Sequence, residues 1–251
     1  MKLLLVLAVL LAAMPAVPAG PSAEESALDN EAYRIQQPHI VTSGREAAAL
    51  AFVAGPIGRA AARLYGVPFH YYLIDEDDPD AFSYYGPRVY VSRGMMHMAD
   101  FTEELAGVLC HESSHVLHHD GLHSAQELAA DNASLNAFLH KAMHMTHNHF
   151  ARVLSLMGAA GKTLEELHYS RAQEENADLS GADLCSQAGS NPWGIAWMLE
   201  KFQKAAPSHR LAWFSDHPST KARIARLKKK LRGASFAHWP STQAVGTDLG
   251  L

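Results

Sequence analysis

The chain has 251 residues and a formal net charge of −5, and 48% of its residues are hydrophobic against 19% that are charged. This balance fits one globular domain with a sizeable core and excludes a fibrous or disordered chain. The acidic net charge gives no general attraction to nucleic acid, so we expect no nucleic-acid partner.

The N-terminus has the pattern of a secretory signal. Lys2 is followed by an apolar run over residues 3–13 and by small residues up to Ala19. This run is well short of the roughly 20 residues that span a bilayer, and residues 1–19 are therefore predicted to be a cleaved signal peptide. We expect an exported protein, periplasmic or secreted, with no later segment long and apolar enough to cross a membrane.

The chain after the signal divides into a lead-in, a domain and a tail. Residues 20–44 are polar and contain two prolines, so we expect an extended or partly disordered lead-in. A single domain is predicted over residues 45–232, and it starts with a helix over residues 46–65. Within this helix Gly55-Pro56 predicts a break or kink, and Gly66 is expected to cap its end. The tail over residues 233–251 has no clear period.

Three strand-like segments follow the first helix, at residues 68–74, 82–85 and 89–92. Turn residues separate them, and together they predict a small antiparallel sheet. A helix with Thr102 as its N-cap comes next, and further helices are predicted over residues 124–150, 164–189, 194–202 and 221–232. The fold class is therefore α+β and mostly α, with the small sheet packed on the helices.

Three features outside the main motif leave alternatives open. In an exported protein Cys110 and Cys185 could pair, but a small thiol on a buried helix is common, and free cysteines are favoured. The basic last helix indicates a solvated face, with a patch for peripheral membrane association or for nucleic acid as the alternative. A histidine cluster is predicted to be solvated rather than a second metal site, and consists of His140, His144, His147 and His149.

Residues 111–115 read His-Glu-Ser-Ser-His inside a helical pattern. Residues four apart lie on one face of a helix, so His111 and His115 can both bind one metal while Glu112 reaches the water on it. This spacing predicts one Zn²⁺ per chain. Catalytic zinc takes three protein ligands and keeps one position open, so a third ligand is required.

The sequence offers two candidates for that third ligand, each followed by an aspartate one helical turn later. Glu127 with Asp131 is the first, and Glu174 with Asp178 is the second. In either pair the aspartate could accept an imidazole N–H and fix the tautomer of a ligand. Glu127 needs a sharp turn after His115, whereas Glu174 lies on a separate later helix.

Residues 170–178 read Ser-Arg-Ala-Gln-Glu-Glu-Asn-Ala-Asp. Together with the 111–115 motif, this segment resembles the Ser-Arg-x-x-Glu-x-x-Ala-Asp element of the HtpX-like zinc metallopeptidases. That gluzincin family includes the CAAX prenyl proteases and the periplasmic BepA-like and LoiP-like enzymes. His217-Pro218 and Arg223-Ile224 resemble the family's C-terminal His-Pro and Arg-Ile pairs.

The resemblance implies a zincin-like metallopeptidase domain and assigns roles within it. His111, His115 and Glu174 would bind zinc, Glu112 would be the general base, and Asp178 would orient a ligand imidazole. It also implies that His217 and Arg223 lie near the active site. There the arginine could stabilise an oxyanion, and the histidine could bind substrate or metal.

The predicted function is that of an exported zinc-dependent endopeptidase acting on protein or peptide substrates. We expect the substrate to lie extended against an edge strand formed by Val89–Ser92. Quality control of envelope proteins follows from the resemblance alone. The alternative function is a chaperone-like binding protein that keeps zinc as a structural element, and a membrane-bound prenyl-type protease is a further rival. The oligomeric state is not predicted.

Overall fold

The computed structural model describes residues 20–124, 169–205, 217, 220–243 and 246–249. Within these ranges the chain is mostly helical and has one small sheet of four strands, which confirms the predicted fold class. The candidate ligand Glu127 with Asp131, and the histidine cluster from His140 to His149, lie outside the described residues.

Helix α1, Ala23–Gln36, occupies most of the predicted lead-in. Ser22 caps it by accepting from the backbone N–H of Glu25, and the Glu25 side chain accepts from the Ser22 N–H in return. This capping box satisfies two backbone donors at the helix start. The prediction of an extended or disordered lead-in is therefore wrong for this segment. A short 3-10 helix, Gln37–His39, follows it.

Helix α2, Arg45–Tyr65, is continuous through Gly55-Pro56, so of the predicted break or kink the break is absent. Its inner face packs into the core through Val53, Ile57 and Ala60. This packing offsets the cost of the backbone hydrogen bond that a proline removes from a helix. Gly66 ends the helix with a positive φ of 82°, as expected of a C-terminal glycine cap.

Helix α2 also bears on the prediction that no later segment could span a membrane. By length and composition it is long and apolar enough to do so, which contradicts that prediction. This is weak evidence for a span, because the core helix of a soluble protein passes the same test.

The sheet consists of β1, Ile40–Val41, β2, His70–Ile74, β3, Ala81–Ser83, and β4, Arg88–Ser92. Their spatial order is β1-β2-β4-β3. Strand β2 pairs with β4 in parallel, whereas the other two pairs are antiparallel, so the sheet is mixed and not antiparallel as predicted. Strand β4 lies inside the sheet, and the expectation that Val89–Ser92 forms an edge is wrong. The edge strands are β1 and β3.

Helix α4, Thr102–Leu117, forms the centre of the helical layer and follows the short helix α3, Arg93–Met98. Its N-cap is Phe101, one residue before the predicted Thr102. It packs against α5, Arg171–Ala188, and α6, Trp193–Ala205. A Cβ on Gly107 of α4 would collide with the backbone at Gly194 and Ile195 of α6, so the two helices cross where no side chain fits.

Cys110 and Cys185 form a disulfide that joins α4 to α5, with their Cα atoms 5.7 Å apart. The prediction of free thiols is therefore wrong. The two helices approach closely here, because a Cβ on Gly181 would lie 3.3 Å from backbone atoms of Cys110 and His111. The disulfide thus fixes α5 against the segment of α4 that carries the His-Glu-Ser-Ser-His motif.

The C-terminal region packs back on these helices. Helix α7, Lys221–Leu231, buries its apolar face together with Arg223 and directs its lysines outward, where Lys228 pairs with Glu200 and Lys230 with Asp183. The tail also has contacts, since Asn191 Nδ2 donates to the Pro240 carbonyl and Trp239 Nε1 to Ser186 Oγ. The tail belongs to the folded unit even though its sequence has no period.

Candidate metal centre and active site

Four buried side chains from three parts of the chain meet beside α4. His111 and His115 lie one turn apart on α4, Glu174 lies in the first turn of α5, and His217 precedes α7. One ligand atom from each lies within 4.8 Å of those of the other three. All four residues are at most 2% exposed, so only a few water molecules could compete for these atoms.

A buried carboxylate orients each of the two imidazoles on α4. Asp178 Oδ1 lies 3.1 Å from His111 Nδ1, and Asp120 Oδ2 lies 2.8 Å from His115 Nδ1. A carboxylate accepts from Nδ1–H, which leaves the lone pair on Nε2 of the same ring. Both Nε2 atoms then face the space that they share with Glu174.

The spacing of these atoms fits a tetrahedral zinc site. The two Nε2 atoms are 3.1 Å apart, and the Glu174 carboxylate oxygens lie 3.3 Å from His115 Nε2 and 3.6 Å from His111 Nε2. Ligands about 2.1 Å from a tetrahedral ion are separated from each other by about 3.4 Å. Two nitrogens and a carboxylate oxygen are also a donor set that catalytic zinc uses.

The charges in the centre indicate that its imidazoles need a cation between them. Burial lowers the pKa of His111. Burial also acts to lower the pKa of His115, but its hydrogen bonds to Asp120 and Glu174 outweigh that effect and raise it to about 10. Without a metal, two facing Nε2 atoms can avoid lone-pair repulsion only by sharing a proton. A metal ion removes the need for that proton.

Glu112 lies on the same turn of α4 as the two imidazoles and is fully buried. Its Oε1 is 3.5 Å from His217 Nε2. The other ring nitrogen of His217, Nδ1, lies 2.8 Å from Glu174 Oε1 and 3.3 Å from His111 Nε2. His217 therefore contacts both the predicted base, Glu112, and the predicted ligands His111 and Glu174.

Arg223 lies behind the ligands and is bound to carboxylates. Its Nε and one terminal nitrogen each lie 2.8 Å from an Asp178 oxygen, and the other terminal nitrogen lies 2.5 Å from Glu174 Oε2. These bonds help to lower the pKa of Asp178 against the opposing effect of burial. The geometry suits a residue that holds Asp178 and Glu174 in place better than one that contacts an oxyanion.

Two residues at the site were not identified from the sequence. Asp120 lies just beyond the end of α4, after His119 with its positive φ of 57°, and that turn brings its carboxylate back to His115. Tyr169 stacks on the His115 ring with a centroid distance of 3.9 Å and an interplanar angle of 10°. Its hydroxyl donates to the Ser83 carbonyl on β3, at 3.2 Å.

Strand β3 runs directly beside the motif helix. The Ser83 hydroxyl donates to the backbone carbonyl of Glu112, at 3.2 Å. Tyr169 joins the same strand residue to the ring of His115. Ser83 and Tyr169 therefore connect this edge of the sheet to the four-residue centre.

Comparison with known proteins gives relatives that share this region. Mitochondrial metalloendopeptidase OMA1 of Schizosaccharomyces pombe is 30% identical over 185 residues, which are 69% of this chain and 52% of that protein. The β-barrel assembly-enhancing protease of Escherichia coli (strain K12) is 27% identical over 168 residues, 65% of this chain and 34% of that protein. Metalloprotease LoiP of the same strain is 26% identical over 191 residues, 72% of this chain and 69% of LoiP.

This chain thus spans about half the length of OMA1 and a third of the β-barrel assembly-enhancing protease. The family described as Peptidase family M48 matches residues 43–231, which include the motif helix, α5 and all of α7. The members of this family are zinc-dependent, in agreement with the donor set found here. From the extent of this match and the likeness to its relatives, the chain belongs to Peptidase family M48.

Proposed function

We propose that this protein is an exported zinc-dependent endopeptidase, with His111, His115 and Glu174 as the ligands and Glu112 as the base. The position of Glu112 carries the proposal. It is a buried carboxylate on the helical turn that bears two imidazoles, whose Nε2 atoms converge at 3.1 Å. A structural zinc site has no use for a carboxylate base beside it.

A zinc ion in this centre would supply a Lewis acid that polarises the peptide carbonyl and lowers the pKa of a water molecule. Glu112 takes the proton from the attacking water and passes it to the leaving amine. His217 lies 3.5 Å from Glu112 Oε1, where its Nε2 can hold that carboxylate or a substrate oxygen. Asp178 and Asp120 fix the two imidazoles, and Arg223 fixes Asp178.

The substrate would lie extended along β3, the edge strand beside the motif helix. Edge strands bind extended peptides through backbone hydrogen bonds and leave the side chains free to enter pockets. The contact from Ser83 to the Glu112 carbonyl supports this choice of strand. Proteins or peptides with an unfolded segment are the substrates that can pair with such an edge strand.

Export and quality control of envelope proteins form the finer part of the proposal. The apolar run over residues 3–13 supports export, and the disulfide supports an oxidising compartment. The relative named for β-barrel assembly supports a role in the envelope. Association with the membrane surface through the basic side chains of α7 is compatible with this location.

One observation favours a second candidate, a zinc-stabilised binding protein without catalysis. His217 Nδ1 lies in the same group as the three expected ligand atoms. If all four residues bound zinc, the ion would have no open position, as in structural sites. This candidate predicts that His217→Ala loses its zinc, whereas the peptidase proposal predicts that it keeps zinc.

The test compares wild type with Glu112→Gln, which keeps the size of the side chain and removes the base. We expect about one zinc per chain in both proteins and a loss of casein cleavage of roughly 10²- to 10⁴-fold in the variant. Glu200→Gln is the control, because Glu200 pairs with Lys228 and belongs to neither the expected ligands nor the base. Cleavage by Glu112→Gln at the wild-type rate, or a wild type without zinc, would refute the proposal.

A further inference from the structure

The edge strand β3 has a defined set of outward-facing backbone groups. The Ser92 N–H donates to the Asp80 carbonyl, so this pair is hydrogen-bonded across β3 and β4. Hydrogen-bonded pairs alternate along an antiparallel ladder, and the next such pair is Phe82 with Tyr90. The N–H and C=O groups of Ala81 and Ser83 therefore face away from β4.

One of these outward groups is already engaged. The Tyr169 hydroxyl donates to the Ser83 carbonyl, and the Tyr169 ring is stacked on His115. Tyr169 directly precedes Ser170, the N-cap of α5, so the capping box at the start of this helix restrains its backbone. The side chain thus bridges the edge strand and the metal centre.

We propose that Tyr169 is a substrate-positioning residue, which ends the pairing of a bound peptide with β3 at Ala81 and so fixes the peptide bond that meets the metal centre. The proposal rests on the proposed peptidase function. A peptide N–H that bonded to the Ser83 carbonyl would have to displace the tyrosine hydroxyl. Pairing at Ala81 displaces no hydrogen bond that the described residues make.

The end of pairing at Ala81 determines the register of the peptide on β3. The smallest shift that keeps each peptide side chain on the same face of the strand is two residues. At about 3.3 Å per residue, that shift moves the peptide by about 7 Å. Such a displacement carries a different peptide bond to the metal centre, so the Tyr169 hydroxyl would determine where cleavage occurs.

The first test maps cleavage of one casein-derived peptide by mass spectrometry. Wild type should cut mainly at one bond. Tyr169→Phe keeps the ring on His115 but lacks the hydroxyl, and it should add cuts two residues away. Tyr84→Phe is the matched control, because Tyr84 OH accepts from Gln36 of α1 on the other face of the sheet, and it should cut as wild type does. A Tyr169→Phe map identical to that of wild type overturns the proposal.

The second test measures peptide binding without turnover, by fluorescence anisotropy in the zinc-loaded Glu112→Gln background. Removal of the Tyr169 hydroxyl should tighten binding about fivefold, because the peptide gains a hydrogen bond to Ser83. N-methylation removes a peptide N–H. In a set of peptides that each carry one N-methylated residue, the Tyr169→Phe variant should bind one member without the roughly fivefold gain in affinity. An unchanged or weaker affinity in the Tyr169→Phe variant overturns the proposal.

The two proposals fail in distinguishable ways. A wild-type protein that binds zinc but cleaves nothing refutes the peptidase function. An active wild type with an unchanged Tyr169→Phe cleavage map refutes only the role of Tyr169.

Discussion

Replacement of Asp120 by Ala should weaken zinc binding by roughly 10- to 100-fold, because Asp120 orients a metal ligand from outside the metal's coordination shell. Asp120 is 4% exposed, and its Oδ2 lies 2.8 Å from His115 Nδ1. Without the carboxylate, the Nδ1–H loses a buried acceptor and the ring can adopt the other tautomer. The expected loss corresponds to about 1.4 to 2.8 kcal/mol of binding free energy.

Competition with a zinc chelator measures this affinity directly, and thermal unfolding of the zinc-free proteins shows whether the variant is folded. Asp183→Ala is a matched control, since Asp183 pairs with Lys230 on the surface of α5 and should leave the affinity unchanged. A folded Asp120→Ala protein that binds zinc within twofold of wild type would refute the reasoning. His115 would then be held by the metal and by Tyr169 alone.

Two further predictions concern stability. Replacing Cys110 and Cys185 together by Ser should lower the free energy of unfolding by about 4 kcal/mol, the chain-entropy value for their sequence separation of 75; an unchanged urea midpoint would contradict it. Burial raises the pKa of Asp29 to about 6 against the opposing effect of Arg88. Because the folded state holds this proton more tightly, stability should fall by up to about 3 kcal/mol between about pH 4 and pH 6. In the Asp29→Asn variant this fall of stability with pH, measured by urea denaturation, should be absent. An equal dependence of stability on pH in wild type and variant would show that Arg88 keeps Asp29 ionised throughout.

Local periodicity predicted the helices that build the centre. The four-residue spacing of His111 and His115 places both on one face of α4, and the same spacing holds for Glu174 and Asp178 on α5. The resemblance then led to Glu174 as the third ligand, and the structure brings it to the two imidazoles. A helix carries its own geometry, so residues within one helix could be related before the fold was known.

The features that were missed depend on contacts between elements or on a signal that was passed over. Ser22 followed by Glu25 is a capping-box pattern, and it could have predicted α1. The parallel pairing of β2 with β4 has no local signal, although the buried run in β4 suits a strand inside a sheet. Asp120 reaches His115 through a turn at His119, which no helical period describes.

The electrostatic balance of the centre has a consequence for folding as well as for chemistry. Among the described residues, four buried carboxylates surround it, those of Glu112, Asp120, Glu174 and Asp178, and one buried guanidinium, that of Arg223, faces them. A divalent cation nearly neutralises this excess of negative charge. In the zinc-free protein protons on the imidazoles must do so, yet zinc needs those same nitrogens unprotonated. Uptake of the metal should therefore release protons, and the folded chain should owe part of its stability to the ion.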